Sequence, residues 1–333
     1  MALTTVRPQG MGFVTGRRNL IINGAMQVAQ RGTSGTIAAN GGAAYKSIDR
    51  WQLSNALDVT TTIAQSSTSP DGFTNSLKIT VGGADDVSGT GDAFQVQQHI
   101  EAQNLQHLKY GTSSALSLTL SFWVRSSVTG TYVVHLYQSD GNDLIGGTYT
   151  ISSANTWEYK TITFAGNTVA APANDNGQGL RVTFMLGAAT LYTSGTLPTA
   201  WEAYTDADSA AGQTANVASS ASGEWYLTGV QLEIGDNASD FEHRSHEEEW
   251  AACRRYYYQI TDQNLHGATY DSGQAVGDVY YPTPFRATPT ATVTAGSSGT
   301  TMVVGSSRRK GYVNRSTANT GAYIGGVKLD AEL

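Results

Sequence analysis

Six polar and aromatic side chains, spread over four strand-like runs, have the chemistry of a surface that holds a sugar. Residues 116–125, LSLTLSFWVR, alternate strictly, and successive side chains of a strand point to opposite faces. Leu116, Leu118, Leu120, Phe122 and Val124 then form an apolar face. Trp123 and Arg125 fall on the other, beside Ser117, Thr119 and Ser121. The same rule sets His135 and Tyr137 opposite Val134 and Leu136, and Arg181 opposite Val182 and Phe184. It sets Gln231 and Glu233 opposite Val230 and Leu232. If these strands share a sheet, Trp123, Arg125, His135, Tyr137, Arg181 and Gln231 line one non-core face. An aromatic ring covers the apolar C–H face of a sugar, and neighbouring polar groups fix its hydroxyls. The competing expectation is a face covered by the N-terminal arm, a loop or a second subunit, with Trp123 as packing.

Other candidate chemistry is thinner. Asp85, Asp86 and Asp92, in ADDVSGTGD, supply hard oxygens of the kind calcium takes, but their spacing is not that of an EF-hand loop, and a plain turn is the default. His243 and His246 stand three apart beside three glutamates. A zincin pattern needs a histidine at position 250, where Trp250 stands, so a helix cap with solvated charges is expected. There is no G-x-S-x-G, phosphate-binding loop or Cys-x-x-Cys. Acids are few on the expected strands, and no carboxylate pair for glycoside cleavage stands out. No catalytic residue and no metal ligand is assigned, and the chain is expected not to be an enzyme. The single cysteine, Cys253, excludes an internal disulfide framework and is expected as a small buried hydrophobe.

The elements that must position these groups are mostly strands. The 333-residue chain is long enough for two or three domains. Only 14% of it is charged, and Gly, Ser, Thr and Tyr are abundant, which favours short strands and tight turns. A net charge of -7 argues against a nucleic-acid binder, which needs basic surface to neutralise phosphates. No signal-peptide pattern and no apolar run of membrane-spanning length is read, so no membrane insertion is expected. Residues 1–44 form a Gly-rich arm with Arg7, Arg17, Arg18 and Arg31, suited to docking on a partner or to packing as an ordinary first strand. Residues 45–241 show strands at 76–81, 116–125, 131–137, 157–164, 180–186 and 225–234 with no helical period. An antiparallel sandwich follows. Ser245 and Glu248 make a capping box, acids fill the first turn, and Trp250, Cys253 and Tyr257 recur at helical spacing. A short linking helix is expected within 242–262. Residues 263–333 read again as strands, punctuated by Pro282, Pro284 and Pro289.

The order of several short motifs resembles tail-fibre and related virion proteins of bacteriophages and prophages. VQLEIG (230–235), FEHRS (241–245) and a helix with CRRYY (253–257) carry the resemblance. NLIINGAMQVAQRGTS (19–34) with SIDRW (47–51) is similar to the family's opening; FRATPTATV (285–293) and VKLDAEL (327–333) are similar to its closing domain. The resemblance implies a jelly roll similar to carbohydrate-binding modules, followed by a small C-terminal β domain. It implies a homotrimer, attachment to other virion proteins through the arm, and a host-surface glycan as ligand. Jelly rolls of this type often hold a structural calcium, so that point stays open although no cofactor is assigned. The chain would be made in the host cytoplasm and built into the particle, with the tail expected. Two alternatives stay open: a capsid decoration or head-fibre protein without host contact, and a polysaccharide depolymerase.

The C-terminal segment carries many small polar residues and few large aliphatics, so a partner chain is expected to complete its core. Tyr280, Tyr281, Phe285, Tyr312 and Tyr323 are the expected contacts, since tyrosine suits positions where one end stays wet. Light scattering over the micromolar range should show an assembly; a stable monomer with a folded C-terminal unit would contradict it.

Overall fold

Leu118, Leu120, Phe122 and Val124 are fully buried in a common core, as strict alternation in 116–125 requires. The computed structural model describes residues 17–261, 265–271, 274–296, 300–303, 307–315 and 322–333. Arg7 lies outside them. Two antiparallel sheets enclose the main core. Their strands are β1 (Ser34–Ile37), β2 (Gly42–Ala44), β3 (Gln52–Asn55), β4 (Thr61–Ser66), β5 (Ser76–Val81), β6 (Ala93–Glu101) and β7 (Leu118–Ser126), then β8 (Gly130–Gln138), β9 (Asp143–Ile151), β10 (Glu158–Phe164), β11 (Gln178–Ala188), β12 (Glu202–Ala203) and β13 (Glu224–Ile234). One sheet has the order β1-β4-β5-β13-β7-β10 and the other β12-β9-β8-β11-β6-β3-β2. The chain passes repeatedly from sheet to sheet, and the architecture is a mostly-β jelly-roll sandwich. Phe122, Tyr149, Phe184 and Trp225 meet between the sheets at centroid separations of 5.1–6.5 Å.

The arm packs on its own sandwich from Arg18 onward. Ile21 and Met26 are fully buried in the main core. Leu20 N–H donates to the Leu232 carbonyl at 2.9 Å, and Val230 N–H to Gly24 at 3.0 Å. Of the two expectations for this segment, packing as part of the jelly roll is the one the described residues realise.

The linking helix spans His246–Arg254, and both arms of the Ser245/Glu248 capping box are formed. Its inner face is rotated from the expected stripe. Glu249 and Cys253 are buried, whereas Trp250 is only half-buried. Glu249 faces inward because its carboxylate accepts from Asn23 N–H at 2.6 Å and from Arg244 Nη1 at 3.1 Å. Cys253 is a free buried thiol, and burial pushes its pKa well up. The helix also ends earlier than 262. The next residues leave it to form β14 (Tyr257–Ile260), which pairs with the last strand.

The C-terminal sheet contains β14, β15 (Leu265–Asp271), β16 (Gln274–Tyr280), β17 (Thr290–Gly296), β18 (Thr300–Val303), β19 (Lys310–Arg315) and β20 (Ala322–Asp330). It has a small core of its own, built on Ile260, Val279, Tyr281, Phe285, Val327 and Leu329. That corrects two expected contacts between chains. Phe285 is fully buried and Tyr281 nearly so within this chain, because the ring of one packs edge-on against the other at 5.0 Å. Tyr280 is 72% exposed and Tyr312 36% exposed. The Tyr323 side chain lies outside what is described.

Buried charge joins the C-terminal end to the sandwich. Arg50 is fully buried; it pairs with Glu332, donates to the His99 carbonyl at 2.5 Å, and lies 3.5 Å from the Tyr256 ring centre. Arg31 reaches Asp330 at 3.0 Å and Glu332 at 3.3 Å. Glu332→Ala would strand a buried guanidinium, and removing one partner of a buried pair costs about 3–5 kcal/mol. Urea denaturation should show that loss for Glu332→Ala and a much smaller one for Arg50→Met combined with Glu332→Leu. Equal stability of Glu332→Ala and parent would show the pair carries no docking energy.

Candidate functional site

The six expected glycan-binding residues do not share one face. Trp123, Arg125 and Gln231 stand on β7 and β13 of one sheet; His135, Tyr137 and Arg181 stand on β8 and β11 of the other. Each trio points away from the core, so the two lie on opposite sides of the sandwich. Alternation assigned each of these six side chains to the correct side of its own strand but carries no information on which strands are neighbours.

On the first sheet, the non-core face divides into a covered and an open part. Gln231 is fully buried. Its amide donates to Glu233 at 2.8 Å and accepts from Glu242 N–H at 2.8 Å, holding the 239–242 stretch over the sheet. It is therefore committed to the fold. Phe73, Phe241 and His243 form an aromatic cluster beside it, with centroids 4.9–5.3 Å apart. A Cβ at Gly229 would stand 2.7 Å from the Phe73 ring and 3.1 Å from Trp123, and the residue has φ +60°. Only glycine suits that point.

The open part lies toward β10, the edge strand. Trp123 is half-buried and pairs with Tyr159, its register partner, at 5.3 Å and 49°. Tyr159 is 46% exposed. Trp157 extends the aromatic surface; its ring lies 6.1 Å from that of the buried Tyr226, over which the Arg125 guanidinium sits at 4.7 Å. Arg125 donates to the Asn155 carbonyl at 2.8 Å, which fixes its position. Thr161 and Thr163 on β10 are exposed and share the face with Tyr159. The arrangement is a shallow platform with rings at its centre and hydroxyls at its rim. Tyr159 and Trp157 were legible in the sequence: alternation through 157–164 puts them opposite Phe164.

The opposite sheet carries the second trio. His135 is buried, its Nδ1 lying 2.8 Å from the Ser209 carbonyl. A carbonyl only accepts, so Nδ1 carries the proton and Nε2 presents a lone pair. Tyr137 stacks edge-on with Tyr204 at 5.3 Å and donates to Asn142 at 2.9 Å. Arg181 lies 4.8 Å over the Tyr137 ring. Residues near Tyr192, Leu197 and Ala210 cover the adjoining part of this face through Val133 and Met185.

The aspartates of the 85–92 loop act as turn caps. Asp85 accepts from Asp58 N–H and Val87 N–H, both at 2.8 Å, and Asp92 from Gly89 N–H at 2.8 Å. Among the described residues, no group of three or more His, Cys, Asp or Glu is placed to hold a metal ion. His246 packs edge-on against Trp250 at 5.3 Å, apart from His243 and its Phe73 contact.

No protein-family model matches the chain, and no curated protein matches it. Among solved structures, the enzymatically active domain of bacteriophage CBA120 tailspike protein 4 is similar at 14% identity with a TM-score of 0.34, over 65% of this chain and 21% of that one. A CBM4 structure is similar at 15% identity and TM-score 0.32, over 64% of this chain and 98% of that one. TmCBM61 in complex with β-1,4-galactotriose is similar at 9% identity and TM-score 0.32, over 66% and 100%. The sheet order and register described above, rather than these likenesses, define the fold.

Two buried histidines make stability depend on pH. Burial, aided by the Arg181 charge, depresses both His99 and His135 to about 3. The unfolded chain protonates each ring near pH 6.5 and the folded chain does not. Their contribution is therefore complete above about pH 6.5 and is lost toward pH 3, by up to ~1.4 kcal/mol per pH unit for each ring. Asp49 acts in the opposite sense: burial raises its carboxyl to about 6, so the folded form takes up a proton first as pH falls. His135→Gln should flatten the slope of stability between pH 6.5 and 5 by about 1.4 kcal/mol per pH unit. Urea midpoints across that range measure it, and an unchanged slope would contradict a neutral buried His135.

Proposed function

We propose that the chain is a bacteriophage virion protein of the tail-fibre kind, and that its jelly roll recognises a host-surface glycan by binding rather than cleavage. The observation that carries the glycan reading is the Trp123–Tyr159 pair: two adjacent rings on an outer sheet face, one of them half-exposed, rimmed by Thr161 and Thr163. Rings of this kind offer a flat apolar surface to sugar C–H groups at little entropic cost. The order of motifs along the chain, from NLIING to VKLDAEL, supports the virion assignment. The virion is then its site of action. Assembly as a homo-oligomer, a trimer by the resemblance, would set several platforms side by side. The exposed Tyr280 and Tyr312 are available for contacts between chains; attachment to other virion proteins through the N-terminal arm is what the resemblance implies.

A panel of surface polysaccharides from candidate host bacteria tests this, with variants Tyr159→Ala and Trp123→Ala. Tyr159 is exposed, so its truncation should leave the fold intact while glycan affinity falls roughly tenfold or more. Trp123→Ala should lose at least as much. A Tyr159→Ala protein that binds the parent's glycan equally well would sink the platform reading. Particle imaging with a bound antibody places the chain on tail or capsid.

A further inference from the structure

Among the described residues, Arg181 differs from the other substantially buried arginines in having no ion-pair or hydrogen-bond partner. Arg31, Arg50, Arg244 and Arg255 each pair with at least one carboxylate. Arg286 donates to the carbonyls of Asn176, Ala331 and Glu332. Among the described residues, Arg181 makes no ion pair and no hydrogen bond; its Nε is sealed from solvent without an acceptor. Its guanidinium lies over the Tyr137 ring face, with Tyr204 beside it. Burying a guanidinium without an anion is costly, and buried charges are ordinarily paired.

The surroundings repeat the pattern. His99, Arg181 and Tyr137 are register partners across β6, β11 and β8, and Thr183 is the partner of His135. Among the described residues, five buried side-chain polar atoms without a hydrogen-bond partner lie in this patch: both ring nitrogens of His99, Nε2 of His135, Nε of Arg181 and Oγ1 of Thr183. Arg181 Nε, Thr183 Oγ1 and one His99 nitrogen can donate to an anion, whereas His135 Nε2 only accepts, as from a sugar hydroxyl. Buried polar groups are satisfied in the great majority of cases, so a concentration of exceptions marks a missing complement. Tyr204 stands at the edge, its hydroxyl held by Asp206 at 2.7 Å and its ring against Tyr137.

We infer that this patch is a second binding site, on the face opposite the Trp123 platform, for the carboxylate of an acidic sugar such as a hexuronic acid. The guanidinium is a planar fork whose two parallel N–H groups match a carboxylate. The half-buried rings of Tyr137 and Tyr204 supply the apolar contact a pyranose needs. The site extends the glycan-binding reading but stands on Arg181, independently of Trp123 and Tyr159.

Calorimetric titration of the full chain with trigalacturonate, a neutral galactose trisaccharide and glucose 1-phosphate tests it. The parent should bind trigalacturonate, and Arg181→Met should weaken that binding roughly tenfold or more. Arg181→Lys should fall between them, and Trp123→Ala should bind trigalacturonate as the parent does. Arg181→Met breaks no pair, so its melting temperature should equal or exceed the parent's, which separates lost binding from lost fold. Full binding by Arg181→Met, loss in Trp123→Ala, preference for the phosphate, or no uronate binding by the parent would each overturn the inference. Host-glycan binding that survives without uronate binding would leave the platform reading standing.

Discussion

One extra residue in β13 is the constraint on which much of the structure depends. Thr228 pairs with Trp123 and Gln231 with Ser121, so three steps on β13 face two on β7. The bulge centres on Gly229 in the left-handed region, and a bulge of this sort bends its strand and breaks the ladder. Pairing of β13 with β5 is formed at Glu224–Leu227 and does not continue beyond. The backbone groups exposed there are not left open. Asn19 donates from its amide to the Val230 carbonyl at 3.0 Å and accepts from Leu232 N–H at 3.1 Å. Leu20 and Gly24 supply the remaining main-chain bonds. The arm thus finishes a sheet that its own strands could not, which is why Asn-Leu-Ile-Ile-Asn-Gly is a structural element and not a tether.

From that seam the order propagates outward. Asn23 donates to the carbonyls of Val28 and Asp49, accepts from Val28, and gives its own N–H to Glu249 on the helix. Trp51 Nε1 closes the circuit on the Asn23 carbonyl at 3.1 Å. Arg50 and Arg31 then carry it to Glu332 and Asp330, while Arg255 and Tyr256 hold Glu101. The stretches that resemble a virion family, far apart in sequence, meet at this junction. Their shared role is to set the C-terminal end on the sandwich through buried ion pairs and hydrogen bonds, which fix geometry more than they add stability. It follows that the motifs speak for assembly of the fold and say little about the ligand.

Legibility followed the same division. Strands with apolar residues at every second position, such as β5, β7 and β8, were plain in the sequence, as were β13, despite its bulge, and the Ser245 cap. The strand β6 was not, because Gln98 occupies a core-facing position where alternation expects an aliphatic. Its amide pairs with both backbone groups of Ile22, a partner 76 residues away. The helix face was misjudged for a related reason: Glu249 is buried by bonds to Asn23 and Arg244, and no local pattern announces a buried carboxylate. Site residues were assigned to the right side of each strand, yet strand order in a jelly roll is set by long-range pairing that a single sequence does not reveal. Sheet order alone parted Trp123 from Arg181.

The parting has a functional consequence. A cleft concentrates contacts on one ligand, whereas two opposite faces each offer a few. The Trp123–Tyr159 platform has one half-exposed ring and a rim of hydroxyls, and the Arg181 patch one cation and two rings. Neither encloses a sugar, so the affinity of a single contact must be modest, because most of a ligand's surface would stay in water. Linking several copies raises the effective concentration of each contact for a repetitive surface, and this can multiply binding a hundredfold or more, on the order of 10²–10⁴, without any new contact. Bacterial polysaccharides are such surfaces. Under the proposed reading, weak sites on opposite faces of a sandwich, joined by a charged junction to an end where Tyr280 and Tyr312 are exposed, suit a chain that samples a repetitive surface before holding it.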